Sequence, residues 1–266
     1  MLPFTAEDLK AVRTETFIEH LDYFESLAST NSWALNTHCT PSPAARDTSL
    51  PALVLTGNQT AGRGRGNNAW WSTEGGLTFS LVVDASQLGI PLQQQPLIAL
   101  ATGLAVCETL EKQAPEHRLQ LKWPNDVFLA GKKVCGILVE TSASQPGRIV
   151  IGVGVNLNNS FLSAEAELQS RGTSLYETTG QKYPLSSMLI DLINAIENRL
   201  YDVAGDRGEL MPVWRQYCLL TGRDIRINTG REVREGTCLE VDDEGYLILQ
   251  TETGRERIIS GTIEHF

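Results

Sequence analysis

The sequence predicts an α+β protein: a large domain built on a mixed β-sheet with helices packed against it, followed by a small antiparallel β-barrel. Three observations predict it. Apolar runs at residues 52–56, 77–83, 119–123, 134–139 and 149–155 have the length of strands, and several lack polar alternation, as strands buried on both faces do. Two other segments keep helical spacing. One is Leu97, Leu100, Ala101, Leu104 and Ala105 after Pro96; the other is Leu185, Met188, Leu189, Leu192, Ile193, Ile196 and Leu200 after Pro184. Proline suits a helix start, where its missing N–H would have no partner anyway. From about residue 218 the pattern becomes short alternating segments (Ile225 and Ile227, Leu247 and Leu249, Ile258 with Ile259). Turn signals separate them at residues 228–230, 242–245 and 253–254, the pattern of a five-stranded barrel.

The remaining elements fall into place around these. The first sixteen residues read as a short helical lead-in, and a strand follows near residues 20–24. Ser29-Thr30-Asn31 has the small hydroxyl and amide side chains that cap a helix N-terminus. There is no internal repeat and no low-complexity segment. The expected division is therefore a domain of residues 1–217 and a second of residues 218–266.

Composition bounds the function. With 41% hydrophobic and 20% charged residues, the 266-residue chain reads as an ordinary globular protein long enough for one sizeable domain and a satellite. A net charge of −10 disfavours general nucleic-acid binding, which needs surplus Lys and Arg against phosphate. No apolar run approaches the ~20 residues of a membrane span, and the first residues lack the apolar centre of a signal peptide. The five cysteines are scattered, with no Cys-x-x-Cys pair, so neither a disulfide framework nor a cysteine zinc site is expected, and no metal ligands are assigned. The expected location is cytoplasmic.

Four segments carry chemistry. In Gln59-Thr60-Ala61-Gly62-Arg63-Gly64-Arg65-Gly66, followed by Trp70 and Trp71, alternating glycines allow close backbone approach to a ligand. The arginines offer forked donors for carboxylate or phosphate, and the tryptophans a flat surface for a base. The loop matches neither a Walker loop nor a dinucleotide fingerprint. Lys122-Trp123-Pro124-Asn125-Asp126 is a turn framed by a lysine, a tryptophan and an aspartate. In Gly131-Lys132-Lys133-Val134-Cys135-Gly136-Ile137-Leu138-Val139-Glu140, alternation points Lys133 inward and Lys132 outward, and an inward lysine needs an anionic partner. Gly152-Val153-Gly154-Val155-Asn156 ends a buried strand with glycines, which suggests either a bulge or something passing close over it.

Together these segments resemble the biotin–protein ligase family, whose marks are a Ser-Thr-Asn helix start, Gln-x-x-Gly-Arg-Gly-Arg, Lys-Trp-Pro-Asn-Asp, Lys before Gly-Ile-Leu-Val-Glu, and Gly-x-Gly-x-Asn. All five occur here in that order, and the resemblance extends from about residue 18 to the end. It implies a catalytic domain of the class II aminoacyl-tRNA-synthetase-like kind with a C-terminal SH3-like barrel. The implied activity is ATP-dependent formation of biotinyl-5′-AMP, with ATP and Mg2+, and transfer of biotin to a lysine of a biotin carboxyl carrier protein.

By position, the resemblance implies that Ser29, Thr30 and Asn31 meet the ureido ring of biotin. Gln59 and the stretch Gly62, Arg63, Gly64 and Arg65 cover the ligand, with Arg65 at the phosphate. Trp70 packs by the adenine and Asn156 faces the nucleotide. Lys133 holds the carboxylate and then the adenylate, Gly136 and Leu138 floor the pocket, and Asp126 lies near the reacting centre. Two departures from the family stand out. The loop continues as Gly66-Asn67-Asn68-Ala69, with fewer charges than many bacterial members have. Only about twenty residues precede the first family strand, too few for the winged-helix DNA-binding domain of some members, so a repressor role is not expected. A monomer or homodimer without nucleic-acid or membrane partners is expected. The rivals are a lipoate or octanoate ligase or transferase of the same architecture, and a non-catalytic biotin-binding regulator.

Overall fold

The computed structural model describes residues 3–40, 49–142, 144–205 and 209–266. Helix α1 (Ala6–Glu15) starts on a capping box: Thr5 Oγ1 accepts from the Asp8 N–H at 3.2 Å while Asp8 accepts from the Thr5 N–H at 2.8 Å. Strand β1 (His20–Phe24) and helix α2 (Thr30–His38) follow, then strands β2 (Ala52–Thr56) and β3 (Leu77–Asp84) and helix α3 (Leu97–Gln113). The chain continues through strands β4 (Leu119–Lys122), β5 (Asp126–Leu129), β6 (Lys132–Thr141) and β7 (Arg148–Val155). Helices α4 (Ala166–Arg171), α5 (Leu175–Thr179), α6 (Leu185–Ala204) and α7 (Leu210–Gln216) complete the larger part.

The first seven strands form one sheet in the order β1-β2-β3-β7-β6-β5-β4, with β1 and β2 parallel and every other pairing antiparallel. That is the mixed sheet expected. One face is covered by α3 and α6, whose Leu104, Leu189 and Ile196 join Phe79, Leu81, Ile151 and Ile137 in the main core. On the other face α2 lies over β2, β3 and β7, burying Ala34 against Val54, Val82 and Val150. Helices α4, α5 and α7 were not foreseen, because five to seven residues are too few to show a 3.6-residue period.

The C-terminal part consists of β8 (Asp224–Asn228), β9 (Val233–Val241), β10 (Leu247–Thr251), β11 (Gly254–Ile258) and β12 (Thr262–His265). The five antiparallel strands are those expected, in the order β11-β10-β9-β8-β12, but they do not close into the expected barrel. The end strands β11 and β12 do not pair with each other, so the sheet stays open. Backbone around β12 serves the larger domain instead: Gly261 O accepts from Arg65 Nη1 at 3.1 Å, and Ile263 O lies 3.5 Å from Lys122 Nζ. The two parts are also joined where Trp123, buried, donates from Nε1 to Gly245 O at 2.9 Å. Leu121 exchanges backbone hydrogen bonds with Tyr217 and Leu219 at 2.8 Å each.

Among the described residues no helix is long and apolar enough to cross a membrane.

Candidate active site

The glycines of the sheet decide where the site lies. Across β3, β7 and β6, hydrogen-bonded registers align Thr78 with Gly154 and Gly136, and Ser80 with Gly152 and Leu138. Of these rows, Thr78, Gly154, Gly136, Gly152 and Leu138 floor a cavity of about 600 Å³. The glycine positions are required by close approach. A Cβ on Gly152 would lie 2.1 Å from Asn31 Oδ1, and one on Gly154 would lie 2.4 Å from Trp70 Cε2. Asn31 and the Trp70 indole therefore rest directly on the strand backbone.

Helix α2 delivers the polar end. Ser29 caps it, accepting weakly from the Ser32 N–H at 3.4 Å. The free Thr30 N–H and the Thr30 hydroxyl both donate to Gln59 Oε1, at 2.8 and 3.1 Å. Ser80 Oγ lies 2.7 Å from Thr30 Oγ1 and 2.6 Å from Asn31 Oδ1. Asn31 Nδ2 donates to Leu138 O at 3.0 Å and to Glu140 Oε2 at 2.8 Å. The result is a buried, mutually satisfied set of hydroxyls and amides, which fixes side-chain directions before a ligand arrives.

The glycine-rich loop folds back on itself like a hairpin, with Trp70 N–H donating to Gly62 O at 2.9 Å and Gly64 N–H to Asn68 O at 2.7 Å. Arg63 makes a two-pronged contact with Glu140 at 3.0 and 2.6 Å, closing the loop onto β6. Its guanidinium is thus engaged by protein. Arg65 is held instead by Gly261 O; burial pulls its pKa downward, and the Asp126 charge opposes that shift.

At the other end, Lys133 Nζ lies 2.6 Å from Asp126 Oδ1 and 5.9 Å from the centre of the Trp70 ring. A bulge places it there. In the register of β5 on β6, Asp126 faces Gly136 and Val127 faces Cys135, but Phe128 faces Lys133, so Val134 is an extra residue. Strict alternation would send Lys133 to the face of Cys135 and Ile137, into the main core. The bulge returns it to the face of Gly136. The inward direction read from the sequence is correct, but alternation is not its cause. Lys132 points outward as expected, donating to Gln169 O at 3.0 Å. Because the Lys133–Asp126 pair is partly exposed, at 34% and 20%, it is worth at most ~1 kcal/mol, and an incoming anion can displace it.

The structure thus brings to one cavity wall Ser29, Thr30, Asn31, Gln59, Arg63, Gly64, Arg65, Trp70, Asp126, Lys133, Gly136 and Leu138. Two expected residues are not in that wall. Gly62 serves the loop's internal pairing. Asn156, buried just beyond the glycine that Trp70 covers, accepts from Asn159 Nδ2 at 3.1 Å. Trp71 also turns away and packs on Phe161, with ring centres 5.0 Å apart.

Sequence reasoning missed several wall residues or neighbours. Glu140 was visible as the end of Gly-Ile-Leu-Val-Glu, and Ser80 and Thr78 were visible as hydroxyls two apart within an apolar strand. Gly261 to Glu264, from the C-terminal sheet, carried no local signal. Lys122, also in the wall, has its pKa drawn down by burial and partly restored by Asp126; its Nζ lies 4.1 Å from the centre of the Phe266 ring.

Comparison with known proteins places this geometry. Residues 28–156 match the Biotin/lipoate A/B protein ligase family, and residues 221–265 match the Biotin protein ligase C terminal domain. The chain is 33% identical over 257 residues to the Bifunctional ligase/repressor BirA of Bacillus subtilis, covering 95% of this chain and 76% of that protein. The chain belongs to the biotin–protein ligase family. It is 30% identical to the Biotin–[acetyl-CoA-carboxylase] ligase of Mycobacterium tuberculosis, over 92% of this chain and 88% of that one. Its fold superposes on the biotin protein ligase of Aquifex aeolicus solved in complex with biotin and ATP, with TM-score 0.78 and 27% identity. That match covers 94% of this chain and all of the other.

For a biotin–protein ligase, the glycine floor makes a direct prediction. Gly152→Ala displaces Asn31 and costs roughly 1–3 kcal/mol in overpacking, so biotin affinity measured by calorimetry falls about 5–150-fold. Gly103→Ala is the control: there the added Cβ meets only Leu121 and Ile137 at ordinary distances of 3.5 and 3.6 Å, and affinity is unchanged. Equal affinities for the two variants would refute the role given to Asn31.

Proposed function

We propose that this protein joins biotin to ATP to form biotinyl-5′-AMP, and then transfers the biotin to a lysine of a biotin carboxyl carrier protein. The observation that carries the reading is the pairing of two unlike ends in one cavity. A neutral, pre-satisfied hydroxyl–amide cluster lies at the N-terminus of α2, and Lys133 and Asp126 lie at the far edge of the same glycine floor. Biotin has matching ends, a polar uncharged ring and a carboxylate.

The reaction follows from charge. A carboxylate and a triphosphate repel, so their approach needs cations, and the wall supplies Lys133, Arg65 and Lys122. The biotin carboxylate attacks the α-phosphorus, a P–O bond forms and pyrophosphate leaves. Lys133 leaves Asp126 for the carboxylate and then steadies the adenylate. Arg65, bridging loop and C-terminal strand, closes the mixed anhydride from water. The deprotonated amine of the carrier lysine then attacks the acyl carbon and AMP departs. Asp126 holds Lys133 in place between turnovers. Hard cations take one or two carboxylates together with phosphate oxygens, so Asp126 and Glu264 of the wall would hold a magnesium ion bound to the nucleotide, which would offset phosphate charge. In this reading, residues 1–217 bind the small molecules and residues 218–266 close the site.

The names borne by the relatives from Mycobacterium tuberculosis and Paracoccus denitrificans support an acetyl-CoA carboxylase carrier as the acceptor. The test is transfer: with ATP and biotin, a purified biotin carboxyl carrier domain gains one biotin on its lysine. Lipoate, which offers no ureido group to the cluster, is used less efficiently than biotin. Comparable turnover of lipoate and biotin would sink the biotin assignment in favour of the lipoate branch.

A further inference from the structure

On the side of α2 away from the ligand, three side chains meet that the ligation reaction does not use. His20 and Asp22 alternate on the edge strand β1, so both project to one face. His38, the last residue of α2, is buried over that face, and Arg148 fixes the helix end by donating to the His38 carbonyl. The Asp22 carboxylate lies between the two imidazoles. His20 Nε2 is 3.1 Å from Oδ1 and His38 Nε2 is 2.9 Å from Oδ2. One nitrogen from each histidine and a carboxylate oxygen all lie within 4.8 Å of one another.

From this convergence we infer that His20, Asp22 and His38 form a binding site for a zinc-like divalent transition-metal ion. Zinc–nitrogen and zinc–oxygen bonds of about 2.0–2.2 Å in a tetrahedron put ligand atoms about 3.4 Å apart. The two hydrogen-bonded spacings, made to different oxygens of Asp22, open by a few tenths of an ångström, and the remaining separations, all within 4.8 Å, close to that value by side-chain rotation. Two imidazoles and one carboxylate are borderline donors, which suit Zn2+ or its first-row neighbours, whereas Ca2+ and Mg2+ require oxygen shells. The ligand nitrogens must be neutral and the carboxylate charged. His20 and Asp22 are each partly exposed, so an ion can enter and a water can complete the fourth position.

The sequence hides this site. No cysteine pair advertises it, and His38 reaches β1 only because α2 packs across the sheet. The ion would pin the C-terminus of α2 to β1, about 13 Å along the nine-residue helix from the end that carries Ser29 to Asn31. Its role is to hold the helix rather than to react.

The experiment is a titration of the metal-stripped full chain with Zn2+ against a chromogenic chelator, with Co2+ as a spectroscopic probe. One ion per chain is expected, with a rise in thermal midpoint, and Co2+ should show d–d absorption without a thiolate charge-transfer band. His20→Gln and Asp22→Asn should each weaken Zn2+ binding by more than the ~10–100-fold that loss of an outer-shell partner costs, while leaving biotinyl-AMP formation intact. Cys218→Ser should bind as the parent does. Zn2+ affinity that is unchanged in His20→Gln, or lost in Cys218→Ser, or absent from the parent, would overturn the proposal and leave a hydrogen-bonded triad.

Discussion

Lys133→Ala is expected to slow biotinyl-AMP formation by ~10²–10³-fold, the usual cost of removing one preorganised donor from a reacting anion. The bulge at Val134 exists in a strand otherwise registered without interruption on β7, and its consequence is to turn Lys133 onto the cavity floor. Its loss should leave the fold intact, because the side chain is one-third exposed and its ion pair contributes little to stability. The deficit should appear in single-turnover adenylation rather than in the thermal midpoint. Biotin affinity should fall less than the rate, because the hydroxyl–amide cluster at α2 is untouched. Near-normal adenylation in Lys133→Ala would mean that another cation, Lys122 or Arg65, approaches the carboxylate, and the assignment of roles would be wrong.

Arg65→Gly is expected to fail differently: the adenylate forms but escapes. In the structure this side chain ties the glycine-rich loop to the C-terminal part, through Gly261 O, while Arg63 ties the same loop to Glu140. Hydrogen bonds to charged groups are worth ~1.5–3 kcal/mol, so losing this latch raises the dissociation rate of biotinyl-AMP roughly 10–100-fold. Released adenylate acylates exposed lysines on any protein, so albumin added to the reaction becomes biotinylated by the variant and not by the parent. Retention of the adenylate by Arg65→Gly as tight as in the parent would show that the loop is held by Arg63 alone.

Much of this was legible in the residues. The long periodic helices α3 and α6, the apolar strands of the central sheet and the five-stranded C-terminal unit follow from spacing, because each buries a continuous face. The site's segments were legible through their combined resemblance to one family, since alone the glycine-rich loop also reads as a surface loop and the Gly152–Asn156 segment also reads as a bulge. What escaped is what only packing creates. The engagement of Arg63 by Glu140 joins residues 77 positions apart. The wall from Gly261 to Glu264 depends on how the second sheet docks, through Trp123 on Gly245. The orientation of Lys133 depends on one extra residue in a strand, which no alternation pattern signals. Asn156 shows the converse: its motif was recognised, yet its side chain is turned to Asn159 and lies outside the cavity wall.

This cavity is expected to activate biotin by itself, before any carrier protein is present. The direct measurement is incubation of the purified chain with biotin and ATP labelled at the α-phosphate, without carrier, followed by separation of the labelled products. The predicted result is labelled biotinyl-AMP retained at close to one equivalent per chain, dependent on biotin and greatly reduced by Lys133→Ala. Absence of that species with biotin, or formation of lipoyl-AMP from lipoate in equal amount, would show that the cavity is not a biotin-activating site.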